Sequence, residues 1–216
     1  PMKGKKVLIT AGPTYEAIDP VRFIGNHSSG LMGFEIAKAA ASKGAEVVLV
    51  SGPSALNVEN ENIKLLRVVS ANQMYDVVHS HYKEMDIVIC AAAVSDYRPK
   101  EVADQKIKKK EDSLTLELVK NKDILLSLGE QKKQQYLVGF ALETENELEN
   151  AKGKLAKKNL DAIVLNSLND TGAGFGKATN KISFIDKNFG IKTFGLKTKA
   201  EVALDIMNEI IKRIHA

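Results

Sequence analysis

The sequence lacks the marks of several protein classes, because it has one cysteine, no long apolar run and few histidines in 216 residues. Cys90 has no partner for an internal disulfide, and its apolar surroundings predict a buried thiol in a protein of the reduced cytoplasm. The longest uninterrupted apolar run, Ile87 to Val94, is far too short to cross a bilayer, so no membrane partner is expected. The histidines do not have the spacing of metal ligands; they are His27, His79, His81 and His215.

Positive and negative side chains nearly balance, so the net charge is only +4. Tyrosine and phenylalanine are scattered and do not interleave with basic residues, so a nucleic acid partner is not favoured. The small basic excess fits an anionic small molecule as well as a lysine-rich surface. No signal peptide is expected, and Pro1 ahead of Met2 leaves open that the chain is a piece of a longer polypeptide.

Apolar runs alternate with helical patterns along the chain, which predicts an α/β fold with a mainly parallel sheet covered on both faces, a Rossmann-like three-layer sandwich. One domain spanning residues 1–216 is the simplest interpretation. Predicted strands are 6–10, 46–51, 63–69, 86–92, 136–141, 162–166, 181–186 and 191–194. Predicted helices are 28–43, 71–84, 123–129, 145–159 and 199–214, and 169–180 is expected to be a glycine-rich loop.

A polar, basic segment from about 97 to 120 interrupts this alternation. Residues 106–118 are interpreted as a β-hairpin excursion, because Leu114, Leu116 and Leu118 alternate with polar residues as in a half-exposed strand. A two-stranded hairpin is marginal alone in water, so this leucine face requires cover from its own domain or from another chain.

The stretch Gly25–Gly33, GNHSSGLMG, separates the first strand from the first helix and is the best candidate for an anion site. It is not a Walker A loop, because Leu31 and Met32 stand where Lys and Ser/Thr belong, and the G-x-G-x-x-G fingerprint is absent. A structural glycine turn is the alternative. The unusually long loop before it, which carries Arg22 and Asn26, favours a functional role.

Taken with CAAAVSDYRP, KIKKK, LVKNKDIL, VGFALETE and AKKNLDAIVLN, the opening AGPTYEAIDPVRFIGNHSSGLMG resembles the phosphopantothenoylcysteine synthetase family of coenzyme A biosynthesis. The resemblance covers nearly the whole chain in the family's order. It implies a ligase that uses CTP and Mg²⁺ to join 4′-phosphopantothenate to L-cysteine through an acyl cytidylate. It also implies a homodimer that meets through the excursion, and a possible fusion to a flavin-dependent phosphopantothenoylcysteine decarboxylase.

The same resemblance assigns roles to residues of this chain. Asn26 and Lys106 match catalytic positions. The positions that match substrate contacts are Arg22, Asn26, Ala92 and Ala93. The positions that match nucleotide contacts are Gly12, Ser28, Ser29, Gly30, Gly33, Cys90, Ala91, Ala92, Asp96, Lys106, Lys122, Asp123, Ile124, Leu125, Phe140, Lys154 and Lys158. Asp96 is also the one candidate for Mg²⁺, through the triphosphate.

Structural roles compete with several of these assignments. Asn26 suits a turn, Arg22 could pair with Glu16 or Asp19, and lysine runs such as 106–110 are commonly solvated faces. Phe140 suits a core equally well. The family has proline where Lys122 stands, which makes base recognition by 122–125 less secure.

Two other functions stay open at this point. A short-chain-type NAD(P)-dependent reductase shares the fold class, but it needs a Tyr-x-x-x-Lys pair, and Tyr97 is followed four residues later by Glu101. A non-catalytic nucleotide-binding or partner-binding module is the second, and the basic excursion is the feature that favours it.

Overall fold

An eight-stranded sheet forms the centre of the computed structural model, which describes residues 1–109, 113–143, 145–167 and 177–215. The strands are β1 (Lys6–Ala11), β2 (Tyr15–Ala17), β3 (Phe23–Gly25), β4 (Glu46–Ser51), β5 (Ile63–Arg67), β6 (Ile87–Cys90), β7 (Tyr97–Pro99), β8 (Leu118–Lys120), β9 (Tyr136–Glu143), β10 (Ala162–Ser167), β11 (Thr179–Asp186) and β12 (Ile191–Thr198). The helices are α1 (Leu31–Ser42), α2 (Ala71–Tyr82), α3 (Ile124–Gln131), α4 (Glu147–Lys157) and α5 (Lys199–Ile214).

The order of strands in the sheet is β12-β11-β10-β9-β6-β1-β4-β5. The last six strands in this order, β10, β9, β6, β1, β4 and β5, are parallel. β11 and β12 complete one edge as an antiparallel hairpin. The chain runs outward from β1 through β4 and β5, and then returns to the other side of β1 with β6. This reversal makes β1 and β6 a topological switch point, where ligands of such sheets bind beyond the carboxyl ends of the strands.

Two hydrophobic cores lie on the two faces of the sheet. The strand β1 supplies both, because Val7 and Ile9 face one core and Leu8 the other, as a period of two requires. Helices α1 and α5 cover the first face, while α2, α3 and α4 cover the second. The predicted Rossmann-like three-layer fold is thus confirmed. Within the described residues, no helix is both long enough and apolar enough to span a membrane.

The long loop after β1 contains a short antiparallel hairpin, β2–β3, where the sequence showed no clear periodicity. Asp19 builds its turn, since Oδ1 accepts the N–H groups of Val21 and Arg22, both at 2.8 Å. Rings of Tyr15 and Phe23 stack with centroids 3.8 Å apart. An Asp-Pro turn signal at Asp19 was present in the sequence and could have indicated this hairpin.

The predicted strand at residues 114–118 is wrong. The excursion is closed instead by the strands β7 and β8, which pair Tyr97 with Lys120 and Pro99 with Leu118. Residues 113–117 form no strand, and residues 110–112 lie outside the described part of the chain. Leu114 and Leu118 are 56% and 43% exposed, so the leucines do not form a buried strand face in the single chain. Residues 169–176, most of the predicted glycine-rich loop 169–180, also lie outside the described residues.

A glycine-dependent contact between α1 and β1 generates the first prediction. A Cβ atom at Gly33 would lie 2.5 Å from Cβ of Ala11 and 3.0 Å from the carbonyl oxygen of Thr10. Gly33→Ala should therefore lower the free energy of unfolding by about 1–3 kcal/mol, because a packed strand must move. Urea denaturation measures this effect.

The matched control is Gly153→Ala in α4, where no atom lies within 4 Å of the new Cβ. There the better helix propensity of alanine should raise the free energy of unfolding by about 1 kcal/mol. Two variants that shift stability in the same direction would contradict the close packing of α1 on β1.

Candidate functional site

Three loops meet at the carboxyl edge of the sheet, as the sequence predicted for the segments after the first, second and fourth central strands. The N–H of Gly52 donates to the carbonyl of Ala11 at 3.0 Å, and the N–H of Ala93 donates to Gly12 at 2.9 Å. Pro13 and Ala93 form a parallel bridge that continues the pairing of β1 with β6. The loops are therefore fixed to one another by backbone hydrogen bonds.

The glycine turn at Gly30 lies against the backbone of Gly12, and both residues have positive φ, 86° and 78°. A Cβ at Gly30 would lie 3.1 Å from the nitrogen of Gly12, so glycine is required both for the angle and for the approach. The helix α1 begins at Leu31 and not at the predicted residue 28, with Gly30 as its N-cap residue. The hydroxyls of Ser28 and Ser29 accept from the N–H groups of Gly30 and Leu31 at 3.2 and 3.4 Å.

A small cavity of about 140 Å³ lies between this glycine turn and residues of the strands β9, β10 and β11. One wall is the segment from Ser28 to Gly33, and the floor is made by Ala91, Ala92 and Ala93. The sequence predicted both segments as ligand contacts. The remaining lining residues are Phe140, Ala141, Leu142, Asn166, Asn180 and Lys199.

A large cavity of about 490 Å³ lies beside the small one, and Ala92 and Phe140 line both. Its walls contain eight of the predicted nucleotide contacts besides Ala92: Cys90, Asp96, Lys122, Asp123, Ile124, Leu125, Phe140 and Lys158. Thr10, Val94, Ser95, Tyr97, Lys120 and Asn121 complete it. Its size suits a nucleoside better than the small cavity does, because ligand sites for such molecules begin near 300 Å³.

Charged side chains in the large cavity are held in place by partners. Asp123 caps α3 by accepting the N–H of Leu126 at 2.9 Å, and it pairs with Lys158 at 2.8 Å. Burial would raise the pKa of Asp123, but the bonds from Lys158 and Leu126 outweigh it and hold that pKa below its usual range. The ammonium of Lys122 lies 4.6 Å from the ring centroid of Tyr75, which fixes the position where the family has proline.

Asn26 is held at the junction of two loops, because its Nδ2 donates to the carbonyl of Ala93 at 2.9 Å. This bond uses one of the two amide hydrogens, and the side chain is otherwise exposed to solvent. The predicted catalytic amide thus lies against the predicted substrate contact Ala93. It does not itself line either cavity.

Arg22 makes the ion pair that the sequence left open. Its Nε and Nη2 contact Oδ2 of Asp19 at 3.0 and 2.6 Å, and Nη2 also donates to the carbonyl of Ile107 at 2.8 Å. Burial would raise the pKa of Asp19, yet hydrogen bonds from Arg22, Val21, and Ile107 hold it well below its usual range. This pair therefore anchors the lysine segment beside the β2–β3 hairpin.

Four more predicted site residues lie outside the lining of both cavities. Lys106 is exposed one residue before the anchored Ile107, and Gly12 lies beneath the glycine turn. Lys154 pairs with Glu143 at the end of β9. Arg22 is the fourth. None of the lysines Lys106, Lys108 and Lys109 lines either cavity of its own chain.

Asp96 lies on the rim of the large cavity and is exposed. Within the described ranges, no three His, Cys, Asp or Glu side chains come together as a metal centre. A single carboxylate on the rim of this cavity is compatible with Mg²⁺, which binds through one or two carboxylates and the phosphates of its nucleotide.

Comparison with known proteins now identifies the group to which this architecture belongs. The family described as the DNA/pantothenate metabolism flavoprotein C-terminal domain matches residues 2–214. The chain belongs to this family. The predicted resemblance to phosphopantothenoylcysteine synthetases is therefore confirmed at the level of the family.

Individual relatives of this family are longer proteins. The chain is 51% identical over 216 residues to a cysteine/cysteine sulfinic acid decarboxylase of an unknown prokaryotic organism, covering 100% of this chain and 60% of that protein. It is 48% identical over 210 residues to the coenzyme A biosynthesis bifunctional protein CoaBC of Bacillus subtilis, covering 97% and 52%. It thus spans between half and two thirds of these curated relatives.

A crystal structure of the C-terminal domain of CoaBC matches the fold with a TM-score of 0.85 at 44% identity. The match covers 99% of this chain and 97% of that domain. The family fold therefore extends over essentially the same length in both proteins.

The sequence did not indicate several residues that line the small cavity. Asn166 lies near the end of β10, Asn180 lies in β11 and Lys199 begins α5. Lys199 in particular was interpreted only as the first residue of an amphipathic helix. Their shared position could not be read from the chain, because the elements that carry them are brought together only by the order of strands in the sheet.

Cys90 generates the second prediction. The residue is only partly buried and lines the large cavity, which corrects the expectation of a fully buried thiol. Desolvation nevertheless raises the pKa of the thiol to about 12, although a hydrogen bond with Thr10 works in the opposite direction. At pH 8 the thiolate should be roughly 10³-fold rarer than in an unfolded chain, so iodoacetamide should alkylate the native protein more slowly than the urea-unfolded one. Mass spectrometry follows the reaction, and equal rates would refute the raised pKa.

Proposed function

We propose that this chain is a CTP-dependent phosphopantothenate–cysteine ligase domain. In the first half-reaction, a carboxylate oxygen of 4′-phosphopantothenate attacks the α-phosphorus of CTP, and pyrophosphate leaves. In the second, the amine of L-cysteine attacks the acyl carbon, loses a proton and displaces CMP. The observation that carries the proposal is the pair of adjoining cavities at the switch point, with the amide of Asn26 held beside Ala93.

The large cavity is the proposed place of the nucleoside. Phe140 offers an aromatic face between the two cavities, and the pair Asp123–Lys158 offers an acceptor and a donor for polar groups of a base. The triphosphate would then extend toward the backbone N–H groups of the glycine turn, which suit anions. Mg²⁺, held by Asp96 and the phosphates, would neutralise charge on the nucleotide during the displacement.

Asn26 is the proposed stabiliser of the acyl oxygen. One hydrogen of its amide is fixed by Ala93, so the plane of the amide is fixed, and the second hydrogen is available as a donor. A donor held in this way needs little reorganisation when negative charge develops on the oxygen under attack by the amine.

Pyrophosphate release tests the function directly. The purified chain should release pyrophosphate with 4′-phosphopantothenate and CTP in the presence of Mg²⁺, with ATP, GTP and UTP as the comparison. Release should require the carboxylate, so pantetheine phosphate, which lacks it, serves as the control. No release with any triphosphate, together with tight NADPH binding, would favour the reductase instead, and CTP binding without release would favour a non-catalytic module.

The third prediction concerns Asn26. Asn26→Asp should slow the cysteine step by about 10²–10³-fold, because an ionised carboxylate offers no donor and repels the developing charge. Activation should be much less affected, so mass spectrometry of the reaction mixture should show accumulated acyl cytidylate. Equal slowing of both half-reactions would contradict this role. Asn62→Asp is the matched control, because Asn62 directly precedes β5 and so lies at the amino edge of the parallel sheet, opposite the site.

A second copy of this chain is the proposed partner, and the excursion is the proposed contact. Six of the twelve exposed large apolar side chains of the described residues lie on the β2–β3 hairpin and on the excursion. These six are Val21, Phe23, Tyr97, Val102, Leu114 and Leu118. The N–H of Ala103 donates to the carbonyl of Ile18 at 3.0 Å, so the two segments form one surface. An apolar surface of this kind is typical of an interface between proteins.

The position of Lys106 indicates what a dimer would add to each site. Lys106 lines neither cavity of its own chain, and it is carried by the segment that Asp19 and Arg22 anchor at the exposed apolar surface. In a symmetric dimer each copy would present this segment to the other. We therefore propose that Lys106 acts in the partner's site, where it contacts the triphosphate.

The fourth prediction is a complementation experiment. Lys106→Gln and Asn26→Asp should each be nearly inactive alone, since each removes one half of every site. After the two variants exchange subunits, half of the dimers are mixed, and each mixed dimer has one intact site if Lys106 acts across the interface. The mixture should recover about a quarter of wild-type activity.

No recovery after verified exchange would place Lys106 in the site of its own chain. Lys108→Gln, in the same exposed segment, is the matched control and should behave as wild type. Light scattering establishes the assembly: the wild-type chain should have twice the mass of Leu116→Glu, whose charge would disrupt the apolar contact. The proposed fusion to a flavin-dependent decarboxylase is supported by the bifunctional relative, which is nearly twice as long.

A further inference from the structure

The hairpin β2–β3 contains a buried carboxylate, Glu16, that the proposed reaction does not use. Only 3% of this residue is exposed, although glutamate is almost never buried to this degree without a partner. Its partner is the helix α2, because Oε1 accepts the backbone N–H of Ala71 at 2.8 Å. The N–H of Tyr15 donates to the carbonyl of Val69 at 2.8 Å, so two neighbouring residues of β2 dock on the segment that leads into the helix.

The start of α2 depends on this carboxylate. Ala71 is the first residue of the helix, and its N–H is one of the donors that have no partner within a helix. Ser70 forms a capping box with Gln73, which satisfies the N–H groups of those two residues and leaves that of Ala71 to Glu16. Because Ala71 is itself buried, its N–H would lose its acceptor together with Glu16.

The second strand of the hairpin leads directly to Asn26. Glu16 in β2 pairs with Ile24 in β3, and Tyr15 pairs with Gly25, the residue before Asn26. The two strands are in close contact at this end, since a Cβ at Gly25 would lie 2.7 Å from Cδ1 of Tyr15. A displacement of β2 would therefore move β3, and Asn26 with it.

The turn of the hairpin has a separate anchor. Asp19 is also 3% exposed, but its partners are Arg22 and the N–H of Ile107, at 2.6 and 3.1 Å. Loss of the Glu16 contact leaves these bonds in place, so the segment that carries Lys106 stays attached. The two buried carboxylates of the hairpin thus hold different parts of the proposed site.

We propose that Glu16 is a positioning residue for Asn26. This inference rests on the proposed ligase function and adds to it the contact that places the amide. By binding the start of α2, the carboxylate fixes the hairpin where Nδ2 of Asn26 reaches the carbonyl of Ala93, 2.9 Å away. Glu16 lines neither cavity, so its effect on the reaction passes through Asn26.

The kinetic test compares Glu16→Ala with Glu16→Gln in the whole chain. Glu16→Ala should slow the cysteine step about 10- to 100-fold, as for a catalytic group misplaced by about 1 Å, and acyl cytidylate should accumulate. Activation, which is assigned to Lys106, should be nearly unchanged. Glu16→Gln keeps an oxygen that accepts from Ala71, so it should behave almost as wild type in both steps.

A double variant tests whether Glu16 acts through Asn26. In the Asn26→Asp background, Glu16→Ala should slow the cysteine step no further, because the donor that Glu16 positions is already absent. Additional slowing, of the size seen in the wild-type background, would show that Glu16 acts independently of Asn26 and would overturn the proposal.

NMR spectra of the side-chain amides give a readout that does not depend on activity. The hydrogen that Asn26 donates to Ala93 should resonate apart from the second hydrogen of the same amide, which is exposed to solvent. Glu16→Ala should bring the two signals together, whereas Glu16→Gln should leave them apart. The loss of both signals in Asn26→Asp provides their assignment.

Ser70→Ala is the matched control, because it weakens the same end of α2 without touching the hairpin. Urea denaturation should show that Ser70→Ala and Glu16→Ala are both less stable than wild type. Only Glu16→Ala should change the amide signals of Asn26 and the balance between the two half-reactions. An equal change in Ser70→Ala would indicate a general structural effect and would contradict a positioning role.

A second variant removes the same contact from the helix side, in case Glu16→Ala does not fold. Ala71→Pro deletes the N–H that Glu16 accepts, and proline is tolerated at the first position of a helix. The extended backbone of Ser70, with ψ of 164°, suits the residue before a proline. Ala71→Pro should reproduce the slow cysteine step and the altered signals of Asn26.

The outcomes separate this inference from the proposed function. Equal slowing of both half-reactions by Glu16→Ala, or unchanged amide signals of Asn26, would overturn the role of Glu16 while leaving the ligase in place. Failure of the ligase itself would appear as no pyrophosphate release by the wild-type protein. Amide signals of Asn26 that depend on Glu16 would then still support the positioning contact.

Discussion

The parallel pairing of β1 with β6, continued past both strands by the bridge between Pro13 and Ala93, is the constraint on which the site depends. It fixes the distance between the two loops that carry most of the predicted contacts. The hydrogen bond from Asn26 to Ala93 exists only because this pairing brings the two residues together across 67 positions of sequence. A shift of one residue in this register would turn every side chain of β1 to the opposite core and would separate these groups.

Small residues let the rest of the chain approach this junction. Gly12 and Gly30 contact each other through backbone atoms, and Gly33 lets α1 lie directly on Ala11. At each of these positions the missing side chain leaves the backbone accessible, and backbone N–H groups suit an anionic ligand. The packing of α1 on the sheet and the proposed anion site therefore depend on the same absence of Cβ atoms.

The elements with a strong local signal could be predicted from the sequence, and those with a tertiary cause could not. The alternation of apolar runs determined the sheet and the helices to within a few residues, because each strand is buried and each helix has one buried face. Residues 114–117 alternate in polarity but form no strand, and only Leu118 joins the ladder of β8 with β7. Polarity alone does not distinguish a strand from an uncovered loop.

The candidate site shows the same division. Motif resemblance named nine of the fifteen residues that line the large cavity, most of which lie in short segments at the end of β6 and the start of α3. It did not locate Lys199, Asn166 or Asn180, which come from three separate elements and meet only through the order β11-β10-β9 in the sheet. The ion pair of Arg22 with Asp19 was one of two open alternatives, because a sequence gives the partners but not the choice between them.

Charge and volume together bear on how a nucleotide would be oriented between the two cavities. The large cavity carries two acidic and three basic side chains: Asp96, Asp123, Lys120, Lys122 and Lys158. One of the acids, Asp123, is already paired with Lys158. In the small cavity the described walls carry backbone N–H groups and one lysine, without an acid. Side-chain charge therefore does not by itself distinguish a place for the phosphates. Volume does distinguish a place for the base, because only the large cavity exceeds the roughly 300 Å³ at which sites for such ligands begin.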